Sequence, residues 1–205
     1  MSESSIPAGI NTVLNYFSDL NPISPGFIKE ICNHSKIINV RKNKYVLSPL
    51  ELNEAVYFIV SGIVRGFIKD EDRDITTWIS MGNEFVDALK HPSDQSAPSI
   101  EYLQALEECE LVVIPNGVID KLYRNYPETN VIGRKILAAQ YQRTSESSVL
   151  ARIPSADRRY EWFIEKASFD INKVPLRCVA SYLGMRLETL SRIRNKSVSR
   201  TVAPV

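Results

Sequence analysis

Val174-Pro175-Leu176-Arg177-Cys178-Val179-Ala180-Ser181-Tyr182-Leu183-Gly184-Met185-Arg186-Leu187-Glu188-Thr189-Leu190-Ser191-Arg192-Ile193-Arg194-Asn195-Lys196 is the most informative segment of the chain. It reads as helix, tight turn, helix. Pro175 suits the first turn of a helix, where a missing N–H costs nothing, and Leu176, Val179, Ala180 and Leu183 follow at helical spacing on one face. Gly184 can take the left-handed conformation that ends a helix. A second helix then restarts, with Leu187, Leu190 and Ile193 expected to be buried behind it. Two short helices joined by a glycine turn make the helix-turn-helix shape that enters a DNA major groove.

With those three residues inward, Glu188, Ser191, Arg192 and Lys196 point outward. Arginine can donate two hydrogen bonds to O6 and N7 of guanine, glutamate can accept from the cytosine amino group, and serine can contact base or phosphate. The alternative is a surface helix on which Glu188 and Arg192 form an ordinary i,i+4 ion pair.

The run Glu188-Thr189-Leu190-Ser191-Arg192 resembles the Glu-Thr-x-Ser-Arg motif in the recognition helix of Crp/Fnr-family bacterial transcription regulators. It is closer to the Fnr branch, because the Crp branch has an arginine before the glutamate and this chain has Leu187 there. The resemblance implies base reading by Glu188, Ser191 and Arg192 on a TTGA-like half-site, and phosphate contacts by Thr189, Arg186, Arg194 and Lys196. It also implies a homodimer on palindromic double-stranded DNA, with RNA polymerase as a further partner.

Charge is divided unevenly along the chain. From Ala151 to Val205 there are 11 Lys+Arg and 5 Asp+Glu, a net of +6, whereas the remainder carries 14 against 19, a net of −5. A basic C-terminal module on an acidic body suits a phosphate-binding domain attached to a sensor.

The 205 residues, 44% of them apolar, can build one large or two small domains. No apolar run approaches the ~18 residues of a membrane span, and Met1 to Gly9 is polar, so a soluble, cytoplasmic protein is expected. Cys32, Cys109 and Cys178 are odd in number and widely spaced, which argues against a disulfide framework and suits a reducing compartment. They also lack the closely spaced N-terminal pattern of the oxygen-sensing family member's iron–sulfur cluster. Two histidines, His34 and His91, are too few for a cupin-type metal site. No metal or other cofactor is expected, and no nucleophile, P-loop or paired-carboxylate motif indicates an enzyme.

Upstream, Ile10, Val13, Leu14 and Phe17 have helical spacing, and a second helix begins at Ser24-Pro25. From Lys36 to Ile114 the period changes to strand: 37–40, 45–47, 55–60, 63–68, 75–79, 99–106 and 111–114, with Ser61-Gly62 and 69–74 read as hairpin turns. Many short strands suggest a jelly roll. The expected fold is α+β: an N-terminal antiparallel β-roll with flanking helices (1–126), a long dimerisation helix and hinge (127–152), and a winged-helix-like helix-turn-helix domain (153–205). Asn116 and Ser155 are expected to cap the helices that follow them. The tail after Lys196 is too short for a substantial wing.

The strand order resembles the family's cyclic-nucleotide-binding domain. Members that bind cyclic AMP hold its ribose and phosphate with Gly-Glu and Arg-Ser-Ala, but here Val86-Asp87 and Ser99-Ile100-Glu101 occupy those places. The phosphate anchor is missing, which leaves room for an unknown small-molecule effector or none. Thr144-Ser145 matches the Thr-Ser pair with which the cyclic-AMP receptor reads the purine. In the long helix, Ile132, Ile136, Ala139 and Leu150 form one apolar line, the candidate dimer line, and Leu137 and Tyr141 another. The rival readings are a ligand-binding or protein-interaction module whose helix-turn-helix does not read DNA, and a small enzyme on a jelly-roll scaffold.

Overall fold

The computed structural model describes residues 6–88, 99–167 and 170–201. His91 and its loop therefore lie outside the described residues, as do Phe169 and 202–205. Helices α1 (Ala8–Leu20) and α2 (Pro25–His34) precede strands β1 (Lys36–Val40), β2 (Tyr45–Leu47), β3 (Ala55–Ser61), β4 (Ile63–Asp70), β5 (Arg73–Met81), β6 (Glu84–Val86), β7 (Tyr102–Ala105) and β8 (Cys109–Pro115). Helices α3 (Asn116–Asn125), α4 (Glu128–Arg152), α5 (Ala156–Lys166), α6 (Leu176–Tyr182) and α7 (Leu187–Thr201) complete it, with a 3₁₀ turn at Ile171–Lys173.

Two antiparallel sheets, ordered β1-β8-β3-β6 and β2-β7-β4-β5, face one another. Strand alternation sorts their side chains between two cores. Tyr57, Ile59 and Leu111 join Leu47, Val64 and Leu103 between the sheets. Phe58, Val112 and Ile114 point outward and are covered by Val13, Phe17, Phe27, Ile31, Leu122 and Ile132 from α1–α4. Ser24 ties two of these helices together. Its hydroxyl accepts from Phe27 N (3.3 Å), capping α2, while its own N–H donates to Glu128 Oε1 (3.1 Å) at the start of α4. The bond from Ser24 holds the Glu128 carboxyl below its usual range.

Several expectations change. Strands β3 and β4 do not form a hairpin; Gly62, at φ +97°, carries the chain from one sheet to the other. A Cβ there would lie 2.5 Å from Cys109 Sγ and 2.7 Å from the Glu108 carbonyl, so the position requires glycine. Asn116 does not cap α3: Pro115 holds the cap position, and the Asn116 amide donates instead to Asn53 O (3.5 Å). Ser155 does cap α5, accepting from Arg158 N at 3.4 Å. After Pro115 the described residues contain helices and no strand, and α7 continues to Thr201. The three cysteines are free, and burial pushes the Cys109 thiol up to about 11.

Helix α4 also divides its stripes differently. Ile132 and Leu150, at 2% exposure each, are buried within their own chain, and Ile136 packs half-buried on the α1–α3 core. Of the expected dimer line only Ala139 is exposed. The apolar surface left open is Leu137 (62%), Tyr141 (77%) and Val149 (56%).

Candidate nucleic-acid interface

Helix α6 ends in a turn whose hydrogen bonds define its shape. Gly184 N donates to Ser181 O (3.1 Å) and Met185 N to Ala180 O (3.0 Å), with Gly184 at φ +61°. This is the paired arrangement that closes a helix through a left-handed residue. Leu190 (fully buried) and Ile193 (5%) then anchor α7 against Tyr160, Phe163, Val179, Ala180 and Leu183.

Leu187, expected inside, is 43% exposed. It joins Glu188, Ser191, Arg192 and Asn195 around a shallow depression on the outer face of α7. Asn195 was not singled out by the sequence, although 187, 188, 191, 192 and 195 share one face of a 3.6-residue helix. The ion pair open to Glu188 and Arg192 is not formed among the described residues. Both side chains are exposed to solvent.

The flanking residues expected to contact phosphate differ among themselves. Arg186 is exposed, Thr189 half-buried, and Lys196 lies 3.8 Å from Asp157 in a loose surface pair. Arg194 is engaged within its own domain, donating to Asn172 Oδ1 at 2.8 Å.

The β-roll holds this domain through a contact that sequence reasoning missed. Ser181 donates to Asp74 O and accepts from Thr76 N, both at 2.9 Å, on β5. Behind this contact Arg65 is 3% exposed; it donates to Gln104 Oε1 (2.8 Å), Thr76 Oγ1 (3.2 Å) and Asp74 Oδ2 (2.6 Å), and stacks 4.1 Å over Phe67. No local motif marks Ser181, since its partners on β5 are more than a hundred positions away.

A cleft of about 1280 Å³ separates the roll from α4 and α5. Asp87 and Glu101 line it, together with Trp78, Arg143, Thr144 and Trp162. Glu101 is 3% exposed and accepts from the Thr77 hydroxyl; its carboxylate lies where a Cβ on Gly66 would approach it to 2.7 Å. Asp87 accepts from Ala88 N (2.8 Å) and from the Asn53 amide. Ser99 is buried and bonds to Glu101 N (2.9 Å), whereas Ile100, 64% exposed, points away. Thr144 spends its hydroxyl on Gln140 O (2.9 Å) of its own helix, and Ser145 is half-buried. Arg143 pairs with Glu84 at 2.7 Å, tying α4 to β6.

A two-sheet roll, a long connecting helix and a C-terminal helix-turn-helix define a two-part architecture, a β-roll body carrying a helical head. The architecture is the Crp/Fnr-type fold. FixK2 from Bradyrhizobium japonicum superposes with a TM-score of 0.70 at 17% identity, over 83% of this chain and 88% of that one. A transcriptional regulator of the Crp/Fnr family from Eubacterium rectale gives 0.67 at 15% identity, over 93% and 91%. The c-di-GMP-responsive regulator CLP from Xanthomonas campestris gives 0.66 at 17%, over 89% and 95%. No sequence-family model and no curated protein matches the chain.

Proposed function

We propose that this chain is a bacterial transcription regulator of the Crp/Fnr type, with its sensor in 1–126, the connecting helix in 127–152 and the DNA-binding domain in 153–205. The observation that carries the reading is the outer face of α7, where Glu188 and Arg192 are exposed and Ser191 half-buried, opposite the buried Leu190 and Ile193. Arg192 reads guanine, Glu188 the partner strand, and Ser191 base or phosphate. Arg186, Thr189 and Lys196 hold phosphate, with Arg194 at the edge of the footprint. Leu187 offers an apolar contact to a thymine methyl, in place of the arginine of the Crp branch. The protein acts in the cytoplasm, with RNA polymerase as a further partner, and is not an enzyme.

The test is selection from randomised duplex DNA at fixed salt, with wild type beside Arg192→Ala. A TTGA-like palindrome recovered by the wild type alone supports the reading; no enrichment with or without cell extract sinks it.

The chain binds as a dimer through Leu137, Tyr141 and Val149 of α4, and two-fold symmetry then places half-sites about 34 Å apart. Tyr141→Glu puts a charge in the centre of that line. It is expected to weaken dimerisation by about 2 kcal/mol or more, seen as a shift to monomer in sedimentation, with half-site preference retained.

Cyclic AMP is not the effector. The cleft is lined by the carboxylates of Asp87 and Glu101, which repel a phosphate, Ser99-Ile100-Glu101 supplies no guanidinium to hold one, and Arg143 is already paired with Glu84. Calorimetry is expected to give no binding heat up to about millimolar nucleotide; a micromolar affinity would overturn this assignment.

A further inference from the structure

One side chain joins the end of the long helix to the turn of the helix-turn-helix. Arg159, half-buried in the first turns of α5, donates from Nη1 to Ile153 O at 2.7 Å and to Pro154 O at 3.4 Å. Its Nη2 donates to Gly184 O at 3.4 Å. Ile153 is the residue on which α4 ends, and Gly184 is the left-handed residue between α6 and α7. The carbonyl ends of two helices therefore converge on a single guanidinium, the sign their dipoles favour.

The chemistry of the link is specific to arginine. A planar guanidinium can direct its two Nη groups to acceptors on different elements at once, whereas an ammonium is a point donor on a flexible stem. Gly184 has no neighbour within 4 Å of where a Cβ would stand, so no side chain of its own packs the turn in place.

Geometry makes this link consequential for a dimer. The portion of α7 from Leu187 to Lys196 is about 15 Å long, so a swing of about 10° at the turn moves its far end by about 3 Å, close to one base-pair step. The angle between α4, which meets the second chain, and α7, which meets DNA, sets the separation of the two reading helices.

We infer that Arg159 is a positioning residue that sets half-site spacing by bridging the α4 terminus to the Gly184 turn, without touching DNA. The inference rests on the DNA-reading function proposed above.

The experiment uses the full chain as wild type, Arg159→Ala and Arg159→Lys. Binding is selected on paired half-sites with every spacer length, and amide exchange is measured on the DNA-free proteins. Wild type is expected to prefer one spacing over its neighbours by about tenfold, and Arg159→Ala to reduce that preference to within about twofold with the same half-site sequence. Arg159→Lys keeps the charge and the thermal midpoint but does not restore the spacing preference.

In exchange, Arg159→Ala is expected to speed the amides of Ser155 and of Met185 to Leu187, leaving the interiors of α5 and α6 unchanged. Unchanged spacing preference in a folded Arg159→Ala protein overturns the inference. So does loss of half-site sequence, spacing and thermal midpoint together, which is the signature of a merely structural arginine. If the wild type selects no half-site at any spacing, the DNA-reading function falls on its own. The exchange pattern then judges the bridge, and its absence overturns that too.

Discussion

Arg192→Ala is expected to lower affinity for the selected palindrome by about 1–3 kcal/mol per half-site and to relax preference at the guanine it reads. The side chain is exposed and carries no intramolecular ion pair among the described residues, so its removal breaks nothing that holds the domain together. Affinity for scrambled DNA of equal length should stay within about twofold, because phosphate contacts supply that binding. Lys196→Ala is the control: it should weaken both DNAs alike and reduce the salt slope by about 1. Titrations at matched salt separate the two patterns. Equal losses on palindrome and scrambled DNA for Arg192→Ala would refute its base-reading role.

Leu190→Ala is expected to cost about 2–5 kcal/mol of C-terminal domain stability, as for other buried leucines cut back to a methyl. Leu190 is fully buried on the inner face of α7, among Val179, Ala180, Leu183 and Phe163, so the truncation leaves a cavity between α6 and α7. Trp162 reports on this domain and Trp78 on the roll, so unfolding followed in a Trp78→Phe background isolates the C-terminal transition. Leu187→Ala, at a position 43% exposed, should change stability by less than about 0.5 kcal/mol while still altering DNA binding. Equal destabilisation by the two substitutions would show that the outward placement of Leu187 is wrong.

The contrast between those leucines also shows where sequence patterning stops. Steps of three residues turn a helix by about 300°, so each member of the 187–190–193 series is displaced by about 60° from the last. Leu190 and Ile193 share the buried face, and Leu187, first in α7 with no preceding helical turn over it, falls at the boundary. The roll was legible because 55–60 and 111–114 are short, β-rich, continuously apolar runs, the pattern of strands covered on both faces. Strand β6 was not, because Glu84–Val86 is too short to alternate. A glycine turn between two strands reads alike whether it closes a hairpin or crosses between sheets, so Gly62 was ambiguous. In α4 two apolar lines were visible, but which one the chain uses for itself depends on α1 and α5.

Ser181, Arg65 and Arg159 share a different obstacle. Each is an ordinary residue in its own segment and gains its role from a partner that only the tertiary fold supplies. Glu188, Ser191 and Arg192 could be singled out because the chemistry proposed for them is local, lying within two turns of one helix.

The seating of Ser181 on β5 has a consequence for the roll itself. Strand β5 is the free edge of its sheet, and an unprotected edge is a template for pairing with a strand of another molecule. By taking the Thr76 N–H and the Asp74 carbonyl, one hydroxyl from the C-terminal helical domain blunts that edge. Any rearrangement that lifts the domain away exposes a stretch open to strand-to-strand association, so the docked head also guards the body against aggregation.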